Sequence, residues 1–221
     1  MKVEVYRLAH SPFCIAIEQA MIALKVPFEL REQSAADRSG ILRLTNGAYY
    51  EVPTLVDGEE VIFETTGNSQ DVANYIDVRY GEGRLFPKTS GGLQNVLLHY
   101  LENDVEGVTF RLFDPLYVDS ITDVAERGMI VRHKERKFGR GCVQQWRDQH
   151  DELTASAVKV LKPLDQALDA SPFLLGDAPV YADFLLFGIL GNLTFNGFHG
   201  IPRELGNLEN YQNRVADYRY P

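Results

Sequence analysis

Only two cysteines, Cys14 and Cys142, occur in the 221 residues. Two thiols so far apart make no disulfide framework, and a reducing, cytoplasmic setting is the expectation. Long apolar runs are missing as well. The longest, around Phe184 to Leu190, falls far short of the ~20 residues that cross a bilayer. The opening Met1-Lys2-Val3-Glu4 has no apolar signal-peptide core. The five histidines are scattered and none pairs with a cysteine at metal-ligand spacing, so no metal is expected. Positive charge is in deficit: the formal net charge is −9, which argues against nucleic acid or an anionic membrane as partner. The basic run Arg132-His133-Lys134-Glu135-Arg136-Lys137, with Arg140 beyond it, is a local exception. It reads first as a solvated helix face, and only second as part of a pocket for an acidic substrate.

What is present is a hydrophobic fraction of 45%, ordinary for a globular protein. The length suits one large or two small domains. Up to about residue 82, strand and helix signals alternate. Val3 to Leu8 reads as a strand, and Pro12 to Lys25 as a helix with Ile15, Ile17, Ala20, Met21 and Leu24 on its apolar face. Phe28-Glu29-Leu30 is a second strand. Thr54-Leu55-Val56, Asp57-Gly58 and Val61-Ile62-Phe63 form a hairpin, and a helix follows from about Ser69. Residues 83–92 carry Pro87, Ser90, Gly91 and Gly92 and read as a linker. From 93 to 221 the pattern is helical, with candidates at Leu93 to Tyr117, Cys142 to Ala170 (loosened but not ended at Pro163) and Tyr181 to Leu193. The expected architecture is a small α/β domain followed by an all-helical one.

Two short segments carry chemistry. In Ser11-Pro12-Phe13-Cys14, serine is a good N-cap and proline suits the first helical position. A helix start also favours a thiolate, through free N–H groups and the helix dipole. In Val52-Pro53 the proline has no N–H to give a ladder, and a cis bond would turn the N–H and C=O of Val52 outward as a clamp for an extended peptide. Cys14 and Cys142 read as small buried hydrophobes. Tyr6 reads as a core or rim residue of its strand, and His10 beside the turn reads first as an exposed residue and second as one that tunes the site.

With these segments the chain resembles the glutathione transferase family over nearly its whole length. Ser11-Pro12-Phe13-Cys14 is similar to the active-site turn of the thioredoxin-like domain, in the serine form of classes such as tau. Val52-Pro53-Thr54-Leu55 is similar to the cis-proline segment. Asn68-Ser69 with Val72, Tyr75 and Ile76 is similar to the third helix, and Gly176-Asp177-Ala178-Pro179 with Asp183 to the buried motif of the helical domain. The resemblance implies a thioredoxin-like domain, residues 1–82, and an all-α domain, residues 93–221. It implies glutathione as co-substrate, with Ser11 donating its hydroxyl hydrogen to the glutathione sulfur. Val52 and Pro53 would meet the peptide backbone, and Asn68 and Ser69 the γ-glutamyl end, with Glu64-Thr65 as a competing register. Phe13, Asn103, Phe110, Arg111 and Tyr117 would line the site of an electrophilic, mostly apolar or aromatic small molecule, aryl-ether cleavage being one option. A cytoplasmic homodimer with a role in detoxification follows from the same likeness. Tyr6 is the alternative hydroxyl. The rival readings are a glutathione-dependent thiol-disulfide oxidoreductase using Cys14 and a non-catalytic binding protein on the same fold. Val180 stands where a Ser or Thr would complete a capping box, so Asp183 alone is expected to hold that turn.

Overall fold

The computed structural model describes residues 2–65 and 69–221. Strand β1 (Val3–Arg7) alternates as its sequence demands, with Val3 and Val5 buried. It pairs in parallel with β2 (Phe28–Glu32) and antiparallel with β3 (Thr54–Asp57), which turns at Gly58 into β4 (Glu60–Ile62). The sheet order is β2-β1-β3-β4. A parallel pair needs a crossover, and α1 (Pro12–Ala23) provides it. Ala16, Ile17, Ala20 and Met21 of α1 are fully buried, because this helix is covered on both sides. A short α2 (Ser39–Leu44), which has no counterpart in the sequence pattern, precedes the hairpin, and α3 (Asp71–Ile76) follows it.

The rest is helical. Helix α4 (Gly91–Tyr100) runs through a wide π-type turn, Leu101–Val105, into α5 (Glu106–Ser120). Then come α6 (Val124–Phe138), α7 (Cys142–Asp148), α8 (His150–Ala167), α9 (Tyr181–Leu193) and α10 (Gly206–Asp217). The expected helix from Cys142 to Ala170 is therefore two, broken at Gln149, while Pro163 sits inside α8 without ending it. Among the described residues no helix is long and apolar enough to cross a membrane.

One apolar cluster unites the halves, joining Val5 and Leu55 of the sheet to Phe184 and Leu190 of α9 through α1. Asp183, wholly buried in it, accepts from the N–H groups of Val180 and Leu174 (2.9 Å each) and from the Tyr211 hydroxyl (2.9 Å). The carboxylate holds the turn without a hydroxyl at residue 180, as expected, and burial raises its pKa to about 6. Two residues of α9 grip the start of α1. Gly188 lies so close that a Cβ there would stand 2.0 Å from the carbonyl oxygen of Pro12. One turn on, the Asn192 amide donates to the carbonyl of His10 at 2.6 Å. The turn at residues 10–12 is thus held from the second domain.

Candidate functional site

Above that turn lies a cavity of about 510 Å³, with one wall from each domain. Ser11 enters it as the N-cap of α1, with extended backbone (φ −67°, ψ 125°), and Pro12 takes the first helical position. The Ser11 oxygen accepts from the N–H of Cys14 at 3.4 Å, a long contact that leaves the hydroxyl hydrogen to donate elsewhere. Val52 lines the same cavity, and the Val52-Pro53 bond is cis. Pro53 itself is buried behind it. Phe13 and Phe110 also face the space. Phe110 is braced by Phe138 and Trp146, at ring distances of 5.1 and 5.4 Å.

Four of the proposed residues sit elsewhere. Asn103 turns back along its helix, its amide donating to the carbonyl of His99 at 2.8 Å. An unbroken helix would put residues 103 and 110, two turns apart, on one face, but Asn103 falls inside the wide turn that interrupts the period. Arg111, next to Phe110, is carried about 100° around the helix and lines a separate hollow with Trp146 and His150. Tyr117 does not line the cavity itself and meets it through His10, its ring 4.1 Å away, and Phe113, 5.5 Å away. Ser69 borders a second, polar hollow of about 470 Å³, where its hydroxyl donates to Glu102. Asn68 lies outside the described residues. In the competing register, the N–H of Thr65 is taken by the Asp71 carboxylate at 2.9 Å, while burial raises the pKa of the half-buried Glu64.

His10 is not the exposed residue its position suggests. It packs against Phe113 and Tyr117 and lines the cavity beside Ser11. Burial first, then the charges of Lys134 and Arg38, push its pKa down to about 3, so the ring is neutral at physiological pH. The part of that shift owed to Lys134 and Arg38 favours a thiolate at the same place, whereas the larger part owed to burial opposes any charge there. Arg38 was not legible as a site residue. It faces the cavity half-buried, and its Nη1 is buried with no hydrogen-bond partner. The basic run forms α6 and is more than a solvated face, since His133, Lys134, Arg136 and Lys137 line the cavity wall opposite Ser11. Lys134 is paired with the buried Asp114 at 2.5 Å.

The remaining candidates are set apart by burial or direction. Cys14 is 0% exposed, and desolvation pushes its thiol up to about 12. Cys142 is buried in the second apolar cluster, as expected of a small hydrophobe. The Tyr6 hydroxyl donates to Glu4 at 3.2 Å and does not line the cavity.

Comparison with known proteins agrees with the fold. Residues 137–218 match the family model for the glutathione S-transferase C-terminal domain. A probable glutathione S-transferase of Oryza sativa subsp. japonica, GSTU6, is 25% identical over 188 residues, 83% of this chain and 69% of the rice protein. Among solved structures, glutathione transferase GSTFuA3 of Phanerochaete chrysosporium superposes with a TM-score of 0.78 at 14% identity, covering 100% of this chain and 98% of its own. Glutaredoxin 2 of Salmonella typhimurium, solved with glutathione, superposes with a TM-score of 0.74 at 23% identity, over 98% and 94% of the two chains. With a thioredoxin-like first domain and an all-helical second one, the chain has the fold of the glutathione transferases, and its C-terminal part is similar to that family's C-terminal domain.

Proposed function

We propose that the protein is a glutathione transferase of the serine type, in which the Ser11 hydroxyl donates to the glutathione sulfur and holds it as thiolate. The observation that carries this reading is the placement of Ser11: a hydroxyl at a helix start, in an interdomain cavity that also holds the cations of Arg38 and Lys134. A free thiol ionises near pH ~8.5. Each unit by which the site lowers that value stabilises the thiolate by ~1.4 kcal/mol. A charge-assisted hydrogen bond, a helix terminus and two nearby cations all act in that direction. Serine is the donor and the bound sulfur the nucleophile, and proximity supplies much of the rate.

In the same reading, the main chain of Val52 pairs with the cysteinyl peptide ahead of Pro53, as an added strand would. The unpartnered Arg38 guanidinium suits one of the two carboxylates of glutathione. Asn68 and Ser69 meet the γ-glutamyl carboxylate, and Glu102, released from Ser69, turns to the γ-glutamyl ammonium. The electrophile, an apolar or aromatic small molecule, lies between Phe13 and Phe110. Val78, Leu93 and Val96 are 87%, 62% and 68% exposed, apolar surface that a second copy of the chain would cover, and a cytoplasmic homodimer fits them and the two free cysteines. A thiol-disulfide oxidoreductase built on Cys14 is disfavoured, because that thiol is out of reach and far from ionising at neutral pH.

The test is an ultraviolet difference spectrum as glutathione is titrated into the protein at neutral pH. A saturable thiolate band that vanishes in Ser11→Ala is expected, with conjugation falling far more than glutathione affinity. An unchanged band in the variant would remove Ser11 from the mechanism.

A further inference from the structure

The basic residues of α6 have almost no part in the reading above, although they form one wall of the cavity. His133, Lys134, Arg136 and Lys137 line it, and the two acids of the same helix, Glu126 and Glu135, do not. Glu135 is engaged elsewhere, accepting from Arg132 and from the N–H of Gly141 at 2.9 Å. The charges left on this wall do not cancel. Lys134 is paired with the buried Asp114, and burial lowers the pKa of His133 and keeps that ring neutral near pH 7. Arg136 and Lys137 make no ion pair with any described residue. The other acid of the second-domain wall is Glu106, where α5 begins, and burial raises its pKa to about 7, so it is only half ionised near neutrality. Asp37 and Glu51 stand on the first-domain wall, with Arg38. A protein with a net charge of −9 thus turns a positive wall to this cavity. Aromatic surface lies beside it. The ammonium groups of Lys134 and Lys137 each stand 5.6 Å from a ring centre, that of Phe110 and of Phe138 respectively. A flat ring with an anionic substituent meets both features at once.

We propose that the electrophile is an aromatic carboxylate, its ring between Phe13 and Phe110 and its acid group on Arg136 and Lys137. The inference rests on the transferase reading and deepens it by assigning a charge to the second substrate. Both cations are exposed at the cavity, so the carboxylate is held without any of the charges leaving water entirely. With a chloroarene that carries nitro groups, the thiol proton leaves to solvent when the thiolate forms at Ser11. The sulfur lone pair makes the S–C bond at the ring carbon, the C–Cl bond breaks, and chloride departs with the bonding pair. The carboxylate is unchanged. Its part is to draw the substrate in and to orient the ring, which an ester of the same acid cannot match.

The experiment compares 4-chloro-3,5-dinitrobenzoate with its methyl ester, each with glutathione, as kcat/KM divided by the uncatalysed rate constant. The division removes the difference in intrinsic reactivity. The wild type is expected to favour the carboxylate ~10-fold, the product of two exposed charge contacts of a few-fold each, and to lose this preference as salt is added. When Arg136→Gln is combined with Lys137→Gln, the ratio is expected to fall to about one, and Lys137→Glu should turn it in favour of the ester. Arg132→Gln removes a positive charge from α6 away from the cavity and should leave the ratio as in the wild type. Equal acceleration of carboxylate and ester by the wild type would overturn the proposal, and that readout needs no variant. A ratio unchanged in the double variant, or lowered as far by Arg132→Gln, would overturn it too. Each of these outcomes leaves the transferase reading intact, whereas failure to turn over either compound would sink that reading and the proposal with it.

Discussion

Replacing Gly188 with alanine tests how the active-site turn is held. A Cβ at this position would lie 2.0 Å from the Pro12 carbonyl oxygen and 3.0 Å from the Ala16 nitrogen, both backbone atoms that cannot rotate away. Carbon and oxygen hardly ever approach within 3.0 Å in this setting, so α1 and α9 must part by about 1 Å at the start of α1. Overpacking of this kind costs ~1–3 kcal/mol. The clash with fixed backbone places Gly188→Ala at the upper end, less up to ~1 kcal/mol regained from the better helix propensity of alanine. For a chain of this length the net loss of ~2–3 kcal/mol lowers the melting temperature by roughly 4–12 °C. Catalysis should suffer more. Ser11 is displaced with Pro12, and a misplacement of ~1 Å costs on the order of 100-fold in rate. Gly191→Ala provides the control on the same helix. Its Cβ would meet only the flexible Ile15 side chain at 3.4 Å, so the same propensity gain should leave the protein as stable as wild type or slightly more so. Thermal unfolding, the thiolate spectrum and conjugation rates on both variants decide the matter. If Gly188→Ala melts and turns over like Gly191→Ala, the claim that close packing of α9 positions the turn is wrong.

Asp183→Asn should cost ~2–4 kcal/mol by chemical denaturation, because an amide cannot accept from both backbone N–H groups that the carboxylate now holds. The folded pKa of this group, about 6, lies above its unfolded value near ~3.9, so the native state binds the proton first and this group favours the fold as pH falls. The stability gap between wild type and Asp183→Asn should therefore widen from pH 7 to pH 5, and a gap that narrows would contradict the assignment. Arg38→Met should raise the KM for glutathione ~10-fold or more, the loss expected for one charge-assisted contact, and lower kcat as well, because a cation near the thiolate is removed. Equal KM values in wild type and variant would show that Arg38 serves another purpose. Cys14→Ala should cost about 1 kcal/mol of stability and leave conjugation unchanged. Loss of a thiol-disulfide exchange activity in that variant would instead revive the oxidoreductase reading.

The parts of the site that were legible in the sequence are the local ones. Ser11 and Pro12 announce a helix start through cap chemistry that involves only neighbouring residues, and Asp57-Gly58 announces its hairpin in the same way. Asp183 could be read as the holder of its turn because the N–H it accepts belongs to Val180, three residues away. Arg38 and Glu106 were not legible, and the α6 lysines entered only through the second reading of the basic run, since all of them meet only when the two domains close one cavity. His10 was misjudged for the same reason: the rings that bury it come from α5 and from Phe195, far along the chain. Asn103 is turned away because the wide turn interrupts the helical period, and Arg111 because the neighbour of Phe110 points about 100° from it on any helix. Gly188 did leave a trace, because a glycine inside an apolar helix forfeits ~1 kcal/mol against alanine and calls for a packing reason.

The wide turn at Leu101–Val105 means that the electrophile wall is aimed by arithmetic as much as by chemistry. Each residue added to or removed from a helix rotates everything beyond it by about 100°. Deleting one residue of this turn would restore a regular helix and swing Glu106 and Phe110 off the cavity, bringing new neighbours round in their place. Every lining side chain would remain in the sequence, yet the protein would present a different face to its substrates. Length at this one point is therefore a route by which such an enzyme can acquire a new preference in a single insertion or deletion, without touching the turn that holds the sulfur.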